Sequence, residues 1–410
     1  AVNVTDVPEL ALNTVATASY TDGDGTATLT FTYTVGEGQN TSDLDYAATT
    51  SLSGTIKDLY GNDANLTLAA VGQSGSISEN DDVVIDTTAP TLSTVSIASN
   101  NALDTTLGKA SDRVTLTIVA DEVISQPTVA FTSGGQDVSG AVTYTDSGDN
   151  NAATWTAYYD VDSGDTDGAV GFTINFTDTA TNSGTAVTAV TNGGGSVTID
   201  TTSPGAFQTT TVESTGGTEV SAYYNSTNTA VSVTTPIAND ATLVGGSLKI
   251  EAKVDDGNYE VIGSAATISS ANTTQAIVLT ANNVEGLTNF AEQAVLTFRS
   301  VITDTAGNST TGTASLTTLT VDETDPTVTE VTAVTTPGND TTPTVVLGSS
   351  EVGSISSTLA IDLTSVQANN SNSATFDALS DGSYTPTVTV TDTAGNTTSL
   401  QLTTFVIDTA

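Results

Sequence analysis

One alternating strand pattern occurs four times in the same register and ends each time in the same loop, which restricts the chain to repeated antiparallel β-structure. The loops read Asp58-Leu59-Tyr60-Gly61-Asn62, Asp178-Thr179-Ala180-Thr181-Asn182, Asp304-Thr305-Ala306-Gly307-Asn308 and Asp392-Thr393-Ala394-Gly395-Asn396. Counting back by twos from each Asp gives one face of the preceding strand. In the last three copies it is Phe176, Ile174, Phe172, Val170, then Ile302, Ser300, Phe298, Leu296, then Val390, Val388, Pro386, Tyr384. The first copy gives a weaker row, Ile56, Gly54, Leu52, Thr50. A period of two marks a strand with one buried face, and a slip of one residue would turn that whole face to solvent. Gly-Asn then supplies the positive-φ turn of the loop.

A second motif follows each loop: Val84-Ile85-Asp86-Thr87-Thr88-Ala89-Pro90, Thr198-Ile199-Asp200-Thr201-Thr202-Ser203-Pro204, Thr320-Val321-Asp322-Glu323-Thr324-Asp325-Pro326 and Val406-Ile407-Asp408-Thr409-Ala410. One and three residues before each Asp stand Ile85 and Val83, Ile199 and Val197, Val321 and Leu319, Ile407 and Phe405. This is a last strand ending at the Asp, with Pro four residues on in the three complete copies to block further ladder pairing. The two Asp residues lie 28, 22, 18 and 16 residues apart, so the hairpin changes length while its ends stay fixed. Runs such as Ala27-Leu29-Phe31-Tyr33-Val35 and Val114-Leu116-Ile118 supply further strands, and Asp256-Gly257 is a hairpin turn signal. Short strands without intervening helices predict antiparallel β-sandwiches in preference to barrels. The last-strand motifs place domain edges at 1–88, 89–202, 203–324 and 325–410. The short Pro-containing links predict an elongated rod.

Composition narrows the function. A hydrophobic fraction of 37% with 5% aromatics allows a thin aliphatic core in each domain. Six Lys and Arg against 47 Asp and Glu leave a net charge of −41, which repels nucleic acid and anionic lipid and attracts cations. No Cys or His is present, which removes disulfides, thiolate metal sites, thiol nucleophiles and His-based triads. No run of 18 apolar residues predicts a membrane span. The expectation is a non-enzyme stabilised by packing or by hard cations on oxygen ligands.

Ile-Asp-Thr-Thr-Ala-Pro paired with Thr-Asp-Thr-Ala-Gly-Asn resembles the bacterial Ig-like repeats of giant biofilm and host-cell adhesins exported by type I secretion. The stretches Leu29-Thr30-Phe31-Thr32-Tyr33-Thr34-Val35 and Lys253-Val254-Asp255-Asp256-Gly257-Asn258-Tyr259-Glu260-Val261-Ile262-Gly263 look like other repeats of such proteins. The resemblance implies an all-β chain of four tandem immunoglobulin-like antiparallel β-sandwich domains, secreted to the cell surface, with Ca2+ at the domain junctions. It implies Asp58, Asn62 and Asp86 at a first junction, and Asp178, Asn182 and Asp200 at a second. Asp304, Asn308 and Asp322 would serve a third, and Asp392, Asn396 and Asp408 a fourth. A loop Asp and a strand-end Asp at the same pole of one sandwich would share one hard cation. The next domain would add a ligand at the start of its second strand, for which Asp112 and Asp340 are the candidates; the third domain has only Asn225 or Asn228 there. The competing reading of each Asp or Asn is a turn former bonded to its own backbone.

Weaker constellations add structure more than chemistry. Asp22-Gly23-Asp24-Gly25 and the run from Asp160 to Asp167 lack the closing Glu of a helix–loop–helix calcium site, since Tyr33 and Gly171 stand at that place. Trp155 reads as a core residue, and Tyr384 as a tyrosine corner. Asn65, Asn175, Asn225 and Asn272 stand in glycosylation triplets of the kind a Thr-rich sequence produces by chance. Two roles then stand: a stalk that projects a distal binding region, with neighbouring Ig-like repeats of a longer chain as its partners, or an S-layer or filament subunit that contacts copies of itself. A start inside a strand-like segment and a stop inside the last-strand motif fit a piece of a longer array and favour the stalk. A polymerising subunit would instead offer a terminal strand such as residues 1–4 to its neighbour.

Overall fold

The structure is a computed structural model that describes residues 1–146, 151–191, 193–369 and 371–410, with only the main chain of Asn151. Its regular structure is almost all β-strand, with one five-residue α-helix, Ala281–Glu285, and one 3-10 turn, Ala241–Leu243, among the described residues. Among the described residues, no helix is long and apolar enough to cross a membrane. The chain divides into two compact units, Ala1–Thr201 and Thr202–Ala410. Among the described residues, no strand pairing crosses 88/89, 202/203 or 324/325.

In the first unit, Leu92–Ser99, Arg113–Ser125, Asn151–Asp160 and Thr143–Asp146 form an antiparallel sheet. It faces a second sheet built on Thr128–Ser133 and Gly168–Asn175. The inward faces are the period-two rows of the sequence: Val114, Leu116, Ile118, Trp155, Ala157 and Tyr159 on one side, Val129, Phe131, Phe172 and Ile174 on the other, all buried. The Trp155 indole N–H donates to the Ala152 carbonyl at 3.0 Å, which satisfies the polar end of a core side chain. Thr198–Ile199 lies in the second sheet between Gly168–Asn175 and the edge strand Leu107–Gly108, parallel to the latter.

The second unit holds two cores, one from Val212 to Val321 and one from Val328 to Ile407. In the first of these, Ser247–Val254 pairs with Val295–Thr303 on one side and Glu260–Thr267 on the other, with the Asp256-Gly257 turn where the sequence places it. Leu319–Asp322 lies antiparallel to Val295–Thr303 and parallel to Tyr223–Asn225. Ser300, the polar member of its row, is fully buried and bonds Thr209 Oγ1 at 2.9 Å and Thr235 Oγ1 at 2.6 Å, so its hydroxyl stands satisfied among apolar neighbours. In the last core, Gly382–Tyr384 pairs with Phe405–Ile407, and the Tyr384 hydroxyl donates to the Ser380 carbonyl at 2.8 Å, the corner expected of that residue. A single parallel bridge joins Gly338 to Ile407.

Residues 1–88 depart from the expected regularity. The run from Ala27 to Val35 yields only the strand Thr30–Thr32, and Val83, expected in a buried last-strand face, is exposed. Gly, Asn, Ser and Asp crowd residues 61–82 and hold the backbone in turns instead of ladders. Asp45, 1% exposed, supports this region as a buried acceptor. Its carboxylate takes the Tyr46, Gly72 and Ile77 amides at 2.8, 3.2 and 3.2 Å and the Ser78 hydroxyl at 2.7 Å. Burial alone would raise the Asp45 pKa, but the Ser78 hydroxyl and the three amides outweigh it and hold the carboxyl below its usual range.

A depressed pKa stabilises the fold above the unfolded-state value and is lost as the pH falls through the folded one. The amides of Tyr46, Gly72 and Ile77 are therefore expected to lose hydrogen-exchange protection below about pH 3.8, before the strands of 92–199 do. Asp45→Ala leaves those donors buried without an acceptor and is expected to cost about 2–3 kcal/mol in chemical denaturation of this segment.

Candidate functional site

All four Asp-x-x-Gly/Thr-Asn loops fold alike. In each, one carboxylate oxygen of the Asp accepts the Asn main-chain N–H and the other accepts the Asn side-chain amide. The paired distances are 2.9 and 2.8 Å at Asp58, 2.8 and 2.7 Å at Asp178, 2.8 and 3.0 Å at Asp304, and 2.9 and 3.0 Å at Asp392. The Asn thus orients the Asp. At Asn396, which the resemblance offered as a ligand, the side-chain oxygen is engaged in accepting from the Ser226 N–H and hydroxyl.

Among the described residues, two carboxylate triads emerge. Asp86, Glu122 and Asp178 form one, Asp322, Glu351 and Asp392 the other, each with one oxygen per residue lying within 4.8 Å of the other two. Each triad takes its first Asp from the end of one segment's last strand and its third from the loop of the next segment. The Asn side chain ties the two together: Asn182 Nδ2 donates to the Asp86 carbonyl at 3.1 Å, and Asn396 Nδ2 to the Asp322 carbonyl at 2.8 Å.

This grouping corrects the expected one, which joined Asp58 to Asp86, Asp178 to Asp200, Asp304 to Asp322 and Asp392 to Asp408. The reason is topological. In the last three segments the strand leading to the loop starts beside the last strand's exit, so loop and exit lie at opposite ends of one sandwich. Thr409, which follows Asp408, donates its N–H (3.1 Å) and hydroxyl (2.7 Å) to Asp381, at the start of the run that reaches Asp392 roughly 30 Å later. Thr201 does the same to Asp167, the Thr87 N–H donates to Asn40, and the Glu323 N–H to Glu292.

Asp112 and Asp340 are also placed away from the triads. Asp112 begins the strand Arg113–Ser125 and accepts from Asn101 and the Lys109 N–H, whereas Glu122 sits near its other end. Asp340 accepts from the Thr342 N–H and hydroxyl before the strand Thr344–Ser349, and Glu351 follows that strand. The carboxylate that joins each triad thus comes from the far end of the strand at whose start the sequence placed it. Glu122 and Glu351 escaped the sequence reading, although Glu-Val-x-Ser recurs at 122–125 and 351–354.

The triads are electrostatically strained. Burial first, then the charges of Asp86, Asp178 and Asp121, push the Glu122 carboxyl up. Glu351 is raised by burial and by Asp392 and Glu292. Asp322 is pushed up to about 6 by burial, with Asp392, Glu292 and Glu351 adding to it. Three carboxylates converging in a partly buried place call for a counter-charge. Their donor set, hard oxygens within 4.8 Å of each other, fits Ca2+, whose ligands at 2.3–2.6 Å lie at most about 5 Å apart. An open recess of about 510 Å³, lined by Asn40, Thr41, Ser42, Asp86, Asp121 and Glu122, borders two members of the first triad.

Residues 328–409 match the family described as bacterial Ig-like domain. No curated protein matches the chain. Among solved structures, a marsupial T cell receptor is similar at 12% identity and a TM-score of 0.32, covering 75% of this chain and 99% of its own. The α2-macroglobulin of E. coli matches at 9% identity and a TM-score of 0.20 over 98% of this chain, and latent PorU of Porphyromonas gingivalis at 11% and 0.17 over 77%. The chain spans 26% and 34% of those two chains.

With cations chelated, the folded Thr202–Ala410 unit takes up a proton at Asp322 near pH 6, the unfolded chain only near 3.8. The folded state therefore binds more protons between these values, and stability rises as the pH is lowered through that window. Calorimetry is expected to show a higher melting temperature at pH 5 than at pH 7 for this unit, and Asp322→Asn is expected to shrink the difference.

Proposed function

We propose that the chain is a non-catalytic, extracellular structural array whose four consecutive Ig-like segments, 1–88, 89–202, 203–324 and 325–410, are braced by Ca2+ as part of a bacterial cell-surface adhesin stalk. The observation that carries this reading is the recurrence of one triad, strand-end Asp, Glu and loop Asp, at corresponding positions in both units. Asp86, Glu122 and Asp178 would hold one ion, and Asp322, Glu351 and Asp392 another. The ion supplies the positive charge that the triads lack and links the exit of one segment to the loop of the next. An enzymatic role has no support in a chain without His or Cys and with 5% aromatic residues. The lattice alternative gains nothing from Val2–Asp6, which pairs with Thr55–Asp58 of its own segment.

Calcium titration of the full chain by calorimetry tests the reading. Glu122→Gln and Glu351→Gln are each expected to bind one ion fewer than the unaltered chain. Each should also lose the calcium-dependent stabilisation of its own unit, about 2.7 kcal/mol at a hundredfold excess over the dissociation constant. Each variant should melt higher than the unaltered chain in chelator, because a repelling charge is gone. Unchanged stoichiometry in both variants would remove the calcium assignment.

A further inference from the structure

Within the second unit, the loop Asp392–Asn396 is gripped by residues that have no part in the triad. Asn225 Nδ2 donates to the Ala394 carbonyl at 2.6 Å, and the Ser226 N–H and hydroxyl donate to Asn396 Oδ1 at 3.1 and 2.9 Å. Ala394, Asn396 and Asn225 are fully buried. Gly395, at φ +97°, presses so closely that a Cβ there would meet Thr218 Cγ2 at 2.8 Å, Val220 Cγ2 at 2.9 Å and Asn225 Nδ2 at 3.2 Å. The grip is built by its own segment. Asn225 also donates to the Thr218 carbonyl at 2.7 Å, its oxygen accepts the Thr227 N–H and hydroxyl, and its own N–H donates to Asn228.

The corresponding loop of the first unit has a different setting. Ala180 is exposed, Asn182 is half-buried, and Thr181, at φ +75°, stands in the place of the glycine. A threonine there could not enter a seat like that of Gly395, where the space for a Cβ is already filled.

We infer that residues 218–228 form a socket for a loop of the type Asp-x-Ala-Gly-Asn presented by the following repeat, and that this socket holds segment 325–410 on segment 203–324 without any cation. Recognition runs through one backbone carbonyl, one amide oxygen and the missing Cβ of a glycine. It selects loops by the fourth residue and is insensitive to chelation. The socket goes beyond the calcium reading and does not depend on it.

The chain contains no Cys, so a pair of spin labels can be placed in the full-length protein through Asn258→Cys and Ser356→Cys, both at exposed positions on the two segments. In chelator, pulsed dipolar spectroscopy is expected to give one narrow distance distribution. Gly395→Thr is expected to at least double its width, with hydrogen-exchange protection of the Phe298 and Val390 strands unchanged. Ser226→Ala, which removes one bond and leaves the packing intact, is expected to broaden it to a lesser degree. A distribution already broad in the unaltered chain, or one that stays narrow in both variants, overturns the socket. Calcium is added last, so a failure to respond then bears on the ion and leaves the socket standing.

Discussion

An antiparallel hairpin returns the chain to the end from which it started, and most of what is functional here follows from that constraint. The turn of the hairpin and the exit of its second strand are held apart by the length of the ladder. A repeat that ends in such a hairpin offers its loop at one end and its exit at the other. Within each unit, the exit of the first repeat comes to the loop of the second. Asp86 meets Asp178 in one unit, and Asp322 meets Asp392 in the other, in keeping with that strand direction. The Glu in each triad comes from the second repeat, on the loop's side of the junction.

The buried rows of 89–410 were legible because a period of two, held in one register through successive repeats, arises from little besides a strand with one face in a core. Phe172, Ile174, Phe298, Val388 and Val390 all face a core, and even Ser300 holds its inward place by finding two hydroxyl partners. The first 88 residues were less legible. Their order rests on a buried carboxylate that gathers amides from distant turns, and no local periodicity announces such a hub. At the candidate site, the Asp and Asn residues could be found from their repetition, but their partners could not. Contacts between repeats depend on which ends of the strands face each other, a property of the ladder and not of motif spacing. Glu122 and Glu351 carried only a faint signal, one four-residue coincidence in a chain with 47 acidic residues.

The same residue types do opposite work in different places. At Asp45, four donors surround one carboxylate and burial becomes favourable. At Asp322, carboxylates face one another and burial magnifies their repulsion. With only six cationic side chains against −41 overall, the protein cannot relieve such places from within. That composition is what makes a dissolved cation the proposed counter-charge, and the Asn225 and Ser226 contacts give one junction bonds that need none.

The parallel pairing of a short stretch after each first strand with the last strand bears on how the protein meets a pulling force. Leu107–Gly108 runs beside Thr198–Ile199, Tyr223–Asn225 beside Leu319–Asp322, and Gly338 bridges to Ile407 in the same sense. Tension entering at one end of such a segment and leaving at the other drags these neighbours past each other along their length. Their hydrogen bonds are then loaded in shear and must yield together, whereas an antiparallel pair pulled from its open end would unzip one bond at a time. Once the first strand of a segment has been drawn away, resistance to extension is expected to rest on these few short contacts.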